Sequence, residues 1–206
     1  MPGSGVDLDH FKPLSHPGPG PIRFLFVGRL LRDKGICEFV EAARLLRTDH
    51  PDWKFLLLGP IDEGNRSGIG RNDLDRWIGR GEIEYLRHTD DVRPYIEAST
   101  AVVLPSYREG LPRSLLEGAA MARPLIATDV PGNRQIVEHG SNGLLCEARN
   151  PNSLAEAMRC MGLMDAEGRD AMGRAGRDIV ERSFGQQQLI RAYLDAIAQL
   201  RDGARS

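Results

Sequence analysis

The sequence predicts an α/β domain with a doubly wound, mostly parallel sheet of about six strands and further helices at its C-terminal end. Two observations lead to this prediction. Short apolar runs recur along the chain, and most are followed by a longer segment whose apolar residues recur at helical spacing. Such alternation is typical of parallel strands whose connecting helices cover both faces of the sheet.

The predicted elements follow one another regularly from residue 22 onward. Strands are predicted, in chain order, at residues 22–28, 53–59, 83–86, 101–104, 124–127 and 143–146. Helices are predicted at residues 35–47, 73–80, 91–98, 112–122, 152–164, 165–183 and 185–201, with a short turn near 133–137. Pro112 suits the first position of its helix, and Asn152 and Asp165 are residue types that favour helix starts.

The first 21 residues differ in composition from the rest of the chain. They are rich in proline and glycine, which favours an extended linker over packed structure. The sequence therefore predicts a linker at residues 1–21 and one domain with a substantial core at residues 22–206.

Charge and cysteine content exclude several functions. The formal net charge of −2 provides no general attraction for nucleic acid or anionic lipid. Cys37, Cys146 and Cys160 are scattered and lack the spacing of metal ligands, which favours buried thiols in a reduced, cytoplasmic environment. No apolar run approaches the roughly 18 residues of a membrane span, and no signal peptide is recognisable at the N-terminus. We therefore expect a soluble protein.

The most informative segment is residues 106–124, which contains Glu109 and Glu117 on either side of the start of a predicted helix. Free backbone N–H groups near Gly110 and Leu111, together with the helix dipole, can hold a phosphate. Carboxylates beside such a site repel phosphate but accept hydrogen bonds from hydroxyl groups. Both glutamates could instead be ordinary solvated charges. The apolar surroundings of Glu117 favour the functional interpretation, because a buried carboxylate needs a partner.

Other polar segments follow the ends of the predicted strands. These segments are residues 28–35, 59–62, 88–89, 106–110 and 128–134. Ligands of doubly wound sheets bind in the crevice at the carboxyl ends of the strands. Arg29 and Lys34, in the first segment, together suit a diphosphate and could stabilise its growing charge as it leaves. Either one alone could instead be an ordinary solvated loop charge.

Four segments carry a resemblance to a known family: residues 3–11, 26–35, 106–124 and 127–134. Together they resemble the retaining glycosyltransferases of family 4, which have the two-domain GT-B architecture. The wider sequence from residues 59–62 through 105–117 resembles members that extend lipid-linked bacterial surface glycans. The family resemblance implies that this chain is the C-terminal, donor-binding half and that an acceptor-binding N-terminal domain is absent.

The resemblance implies a role for individual residues. Arg29, Lys34 and Glu109 would be the catalytic residues: the first two clamp the diphosphate, and Glu109 accepts from hydroxyls of the donor sugar. Glu117 would accept from the ribose. The backbone around the phosphates would be shaped by Gly28, Gly110, Leu111 and Pro112. The base is expected near the ends of the second and third strands, with Ile61 and His88 as donor-binding residues.

The implied reaction transfers a hexosyl or N-acetylhexosaminyl group from a UDP-sugar to a glycan or lipid-linked acceptor, with retention of configuration. Neither a cofactor nor a metal is expected, because basic side chains and the helix dipole already face the diphosphate. The pairs Asp7/Asp9 and Asp73/Asp75 resemble a metal-binding motif but fall in the linker and on a predicted helix surface. The isolated chain is predicted to bind nucleotide weakly and to turn over little substrate.

Several further expectations follow from the resemblance. The full-length protein would be cytoplasmic or peripheral at the inner face of the membrane. In GT-B proteins the last helix often returns to the first domain, so the predicted helix at 185–201 could be partly exposed here and promote self-association.

Two positions depart from the family pattern: Ala122 stands where glycine is common, and Gln135 where glutamate is common. Two alternatives stay open, a nucleotide-sugar epimerase of the same architecture and a non-catalytic nucleotide-binding module.

Overall fold

A computed structural model describes residues 5–13, 20–62 and 64–185. These residues contain six strands: β1 (Arg23–Val27), β2 (Lys54–Leu58), β3 (Glu84–Tyr85), β4 (Ala101–Leu104), β5 (Leu125–Thr128) and β6 (Gly143–Cys146). The helices are α1 (Ile36–Arg47), α2 (Arg71–Gly79), α3 (Arg93–Glu97), α4 (Arg113–Ala120), α5 (Pro131–Arg134), α6 (Pro151–Leu163) and α7 (Ala166–Ser183). A short 3₁₀ helix at Arg32–Lys34 follows β1.

The six strands form one sheet in the order β3-β2-β1-β4-β5-β6, and every pair is parallel. This is a doubly wound order, in which the order of the strands reverses between β1 and β4 while all strands run in the same direction. The predicted fold class is therefore confirmed. The reversal places the loops that follow β1 and β4 on either side of one crevice at the carboxyl edge of the sheet.

Aromatic and aliphatic side chains fill both faces of the sheet. Phe24 of β1 stacks on Phe55 of β2 with ring centroids 5.7 Å apart, and Trp53 meets Phe24 edge-on at 5.6 Å. One face is covered by α1 packed against α6, and α4 packs against both α7 and β4. These strands consist of apolar residues almost throughout because they are covered on both sides.

Helix α4 ends earlier than the sequence indicates. The prediction ran to residue 122, but the helix ends at Ala120, and Ala122 adopts a left-handed conformation with φ of 54°. Glycine adopts that conformation without strain, which gives a physical reason for the glycine that the family often has at this position.

The N-terminal segment is packed, contrary to the expectation of an unpacked linker. Within residues 5–13, Val6 and Phe11 are buried in the core cluster. The Val6 amide donates to the Phe184 carbonyl at 2.9 Å. Arg177 of α7 donates to the Phe11 carbonyl at 2.8 Å and to the Ala120 carbonyl at 2.7 Å. The expectation of an unpacked segment is therefore wrong for residues 5–13, because composition does not reveal this distant partner, and the assignment of residues 1–21 as an interdomain linker stays a prediction.

Other expectations are settled only partly. All three cysteines are free thiols, but only Cys146 is buried, Cys37 is half-buried and Cys160 is exposed. Burial raises the pKa of Cys146 to about 12. No helix in the described ranges is long and apolar enough to cross a membrane. The predicted helix at 185–201, and the self-association assigned to it, lie outside the described residues.

Candidate functional site

A cleft of about 360 Å³ opens at the carboxyl ends of β1 and β4. It is lined by Val27, Gly28, Arg29, Lys34, Leu104, Glu109, Leu111, Pro112, Arg113, Ser114 and Glu117. Seven of the ten residues that the sequence and the resemblance assigned to the site are among them. The crevice lies where doubly wound sheets place their ligands.

The start of α4 faces this cleft with free backbone donors. Pro112 is the N-cap residue in an extended conformation, and no side chain caps the helix. The first amide bonded within the helix is that of Leu116, which donates to the Pro112 carbonyl. The N–H groups of the first turn are therefore available to an anion, and the helix dipole adds positive potential there.

Lys34 and Glu109 meet across the cleft. The Lys34 Nζ lies 2.6 Å from the Glu109 Oε1, and the Glu109 side chain is only 9% exposed. The close approach depends on Gly35, which has φ of 75°, and a Cβ at that position would lie 2.0 Å from the Pro105 carbonyl oxygen. Only glycine lets the 3₁₀ helix that carries Lys34 dock against the loop after β4.

Tyr107 links the loop after β4 to the 3₁₀ helix and to α1 through hydrogen bonds. Its amide donates to the Asp33 carbonyl at 2.9 Å, and its hydroxyl donates to Glu38 of α1 at 2.7 Å. Burial, followed by the hydrogen bond to Glu38, raises the pKa of the Tyr107 hydroxyl. The loop that carries Glu109 is thus attached to the elements that carry Lys34.

Arg29 is exposed at the rim of the cleft and paired with a carboxylate. Its Nη1 lies 3.2 Å from Asp62 Oδ2, in the loop after β2. Both cations predicted to bind the diphosphate therefore have a carboxylate partner in this structure. Sequence reasoning missed Asp62, because no local pattern links two residues so far apart.

Glu117 is the second buried acid that lines the cleft. Burial raises its pKa, and the nearby Arg113 guanidinium partly opposes this effect. The two side chains are 3.4 Å apart, with Arg113 largely exposed and Glu117 11% exposed. Sequence reasoning overlooked Arg113, although its position four residues before Glu117 is the usual spacing of a helical ion pair.

A second cavity of about 440 Å³ adjoins the cleft. The two share Arg113 and Glu117, so this ion pair forms part of the wall between them. The second cavity is also lined by Gly5, Val6, Asp7, His10, Phe11, Asp90, Asp91, Val92 and Leu116. The packed N-terminal segment thus forms one side of a cavity that reaches Glu117.

Three predicted site residues do not line the cleft. Gly110 is exposed beside Glu109. Ile61 forms a backbone bridge with Leu30 and packs against the core. His88 is exposed, with its Nε2 3.6 Å from Asp90 Oδ1. The structure therefore brings Arg29, Lys34 and the two glutamates together but leaves Ile61 and His88 outside the lining of the cleft. The binding roles of all ten residues remain predictions.

The described ranges contain no group of three or more His, Cys, Asp or Glu side chains that could hold a metal ion. Asp73, one of the residues considered for a metal motif, is instead paired with Arg32 at 3.3 Å and with Arg76 at 3.3 Å.

Comparison with known proteins identifies the family. The model for glycosyl transferases group 1 matches residues 21–161. The chain belongs to this family. A glycosyltransferase of Haemophilus influenzae described as uncharacterized is 32% identical over 135 residues, covering 65% of this chain and 37% of the relative. This group 1 chain also matches CapM of Staphylococcus aureus, a capsular polysaccharide biosynthesis glycosyltransferase, at 26% identity over 162 residues, covering 79% of this chain and 42% of CapM.

The group 1 chain thus spans less than half the length of these two relatives. Among solved structures, HepE of Anabaena in complex with UDP superimposes with a TM-score of 0.83 at 19% identity, covering 95% of this chain and 56% of HepE. At this identity the likeness shows the fold. The resemblance to a glycosyltransferase of GT-B architecture is confirmed.

Proposed function

We propose that this group 1 chain binds the nucleotide-sugar donor, a UDP-sugar, of a retaining glycosyltransferase that elongates a glycan or lipid-linked acceptor. The observation that carries the proposal is one cleft in which Lys34, Glu109 and the uncapped start of α4 face each other. The UDP complex of HepE, which has the same fold, and the capsular polysaccharide role of CapM support the ligand and acceptor classes.

In this proposal the diphosphate lies against the first turn of α4. Its oxygens accept from the free amides of that turn and from Lys34, with Arg29 reaching in from the rim. The backbone amides are fixed before the ligand arrives, and together with the two cations they stabilise the negative charge that grows on the diphosphate as the bond to the sugar breaks. Lys34 and Arg29 then exchange their present carboxylate partners for phosphate oxygens.

The two acids then bind the polyols on either side of the diphosphate. Glu109, released from Lys34, accepts from hydroxyls of the donor sugar, and Glu117 accepts from the ribose. Because Glu117 also lines the second cavity, the nucleoside extends towards that cavity. Its rim carries Asp90 and Asp91, which follow the predicted base-binding residue His88 in the sequence.

The proposed transfer needs neither a metal nor an organic cofactor, since the diphosphate is neutralised by side chains and amides. The acceptor is expected to bind to a second domain of the GT-B architecture, so the 206-residue chain by itself is proposed to turn over little substrate. Efficient glycosyl transfer by the purified chain would contradict this part. An epimerase is less well supported, because no histidine lines the described cleft to serve as its acid or base.

Calorimetry with UDP tests the donor site. We expect binding that weakens roughly 10- to 150-fold in Lys34→Ala, the range for losing hydrogen bonds to a charged group. Lys54→Ala is the matched control, because Lys54 makes a similar surface ion pair with Glu84 at 2.9 Å, away from the cleft. A wild-type chain that binds no UDP at millimolar concentration would disprove the donor site. Equal affinity of Lys34→Ala and wild type would disprove the role of Lys34.

A further inference from the structure

Helix α5 lies against the loop that carries Glu109, although neither the sequence nor the family resemblance assigned it a function. A Cβ at Gly132 would lie 2.2 Å from the Glu109 carbonyl oxygen and 2.7 Å from that of Gly110. Cβ atoms in real proteins stay at least 3.0 Å from such neighbours. The backbone of Gly132 is not left-handed, so its conformation does not require glycine. Glycine is required because there is no room for a Cβ atom. The Glu109 loop therefore rests directly on the backbone of α5.

Gln135, just after α5, adds a polar contact to the same loop. Its Nε2 donates to the Gly110 carbonyl at 3.2 Å. A glutamate, which is common at this position in the family, is ionised at neutral pH and could not donate this hydrogen bond. The contact is therefore specific to the amide of this chain.

The helix itself is anchored in the core. Asn133 is fully buried, and its Nδ2 donates to the Thr128 carbonyl at 2.9 Å and to Thr128 Oγ1 at 3.0 Å. The Thr128 hydroxyl donates in turn to the carbonyl of Ser106, which begins the loop. A continuous set of contacts thus joins the end of β5, helix α5 and both ends of the segment 106–110.

We propose that α5 positions Glu109 for the donor sugar, with Gly132 and Gln135 as positioning residues. This inference rests on the proposed function. Lys34 holds the Glu109 carboxylate from one side, and α5 supports its backbone from the other. The position of α5 therefore sets how well the site distinguishes a UDP-hexose from UDP, because only the hexose reaches Glu109, whereas the diphosphate and ribose contact other groups.

Gly132→Ala displaces the loop with the smallest change in chemistry. To bring the added Cβ from 2.2 Å to at least 3.0 Å, the loop must move by about 1 Å, a displacement that can cost about 100-fold where geometry is critical. The test is to measure dissociation constants for UDP, UDP-glucose and UDP-N-acetylglucosamine by calorimetry. The UDP-sugar that binds more tightly is then compared with UDP. The ratio of the UDP-sugar constant to the UDP constant is expected to rise about 10-fold, because binding of the UDP-sugar weakens while binding of UDP does not.

The control is Gly79→Ala on α2, where an added Cβ meets no atom within 4 Å. Thermal unfolding of both variants shows whether the fold is retained. Gln135→Glu should raise the same ratio about threefold, and Gln135→Lys, which restores a donor, should return it towards wild type. A purely structural role of α5 would lower stability and both affinities together, without changing their ratio.

A crystal structure of Gly132→Ala tests the positioning without a ligand. The Lys34 Nζ to Glu109 Oε1 distance, 2.6 Å in the wild type, is expected to lengthen by about 1 Å or more. An unchanged distance, or an unchanged ratio in a folded variant, would overturn the inference about α5. The proposed donor site would still stand in that case if the wild-type chain binds UDP. A wild-type chain that binds no UDP would overturn both.

Discussion

Glu117→Gln removes a buried negative charge while keeping the shape of the side chain, so it separates the contribution of Glu117 to binding from its effect on folding. Burial raises the pKa of Glu117 above its ordinary value of 4.5. A carboxyl group with a raised pKa ionises less readily in the folded chain than in the unfolded chain. At pH 7 its charge therefore destabilises the fold, and the amide variant is expected to be more stable.

The expected gain is moderate, because Arg113 lies 3.4 Å away and part of the Glu117 side chain reaches solvent. Relieving a functional but unfavourable charge commonly stabilises a protein by about 1 kcal/mol, or roughly 2–4 °C in Tm for a chain of this size. The penalty exists where Glu117 is ionised and disappears as the pH falls through its raised pKa. The stability difference between variant and wild type should therefore be larger at pH 7 than at pH 5.

Binding should change in the opposite direction. The amide keeps one acceptor oxygen for the ribose but loses the charge that strengthens the hydrogen bond. A loss of about 1–2 kcal/mol, or roughly 5- to 30-fold in the Kd for UDP, is expected. The result is a variant that is more stable and binds more weakly.

Urea unfolding at pH 7 and pH 5, with calorimetry for UDP, measures both effects. Glu138→Gln is the control, since Glu138 is exposed and should change neither quantity. Lower stability of Glu117→Gln at pH 7 would refute the argument from burial. Unchanged UDP affinity would refute the contact between Glu117 and the ribose.

Two further substitutions test other contacts of the structure. Asp62→Asn frees Arg29 from its carboxylate and should strengthen UDP binding about two- to fivefold at low salt, less at 0.5 M salt. Asp73→Asn, which breaks a similar pair with Arg32, should leave binding unchanged, and weaker binding by Asp62→Asn would contradict the proposal. Arg177→Met removes two carbonyl contacts, one to Phe11 of the N-terminal segment and one to Ala120 at the end of α4, and urea unfolding should show a loss of about 1.5–3 kcal/mol. An unchanged unfolding midpoint would show that these two contacts contribute nothing to stability.

The sequence was most informative where local patterns decide the structure. The bounds of β4 and β6 were predicted correctly, because each is a short apolar run with clear limits. The edge strand β3 is shorter than predicted, since only two of its residues pair with β2. The strand-end segments that carry Lys34 and Glu109 converge as expected, because parallel strands end at one edge of the sheet.

Contacts between distant segments could not be predicted in the same way. Arg29 pairs with Asp62, and Arg177 donates to the carbonyl of Phe11. The periodic pattern of apolar residues does not predict contacts between such distant segments. Ile61 pairs with the backbone of Leu30 and packs against the core, and this strand-end residue does not line the cleft. The support of Glu109 by Gly132 depends on a close approach of backbones, and a single sequence gives no sign of it.

The pairing of Lys34 with Glu109 has a consequence for selectivity. A cleft that holds its own counterion offers little to a small free anion, which would have to displace a carboxylate tethered at high effective concentration. A molecule that brings phosphate and sugar hydroxyls together satisfies the lysine and the released glutamate at once. Inorganic phosphate should therefore compete poorly, and a UDP-sugar, which also satisfies Glu109, should bind more tightly than UDP.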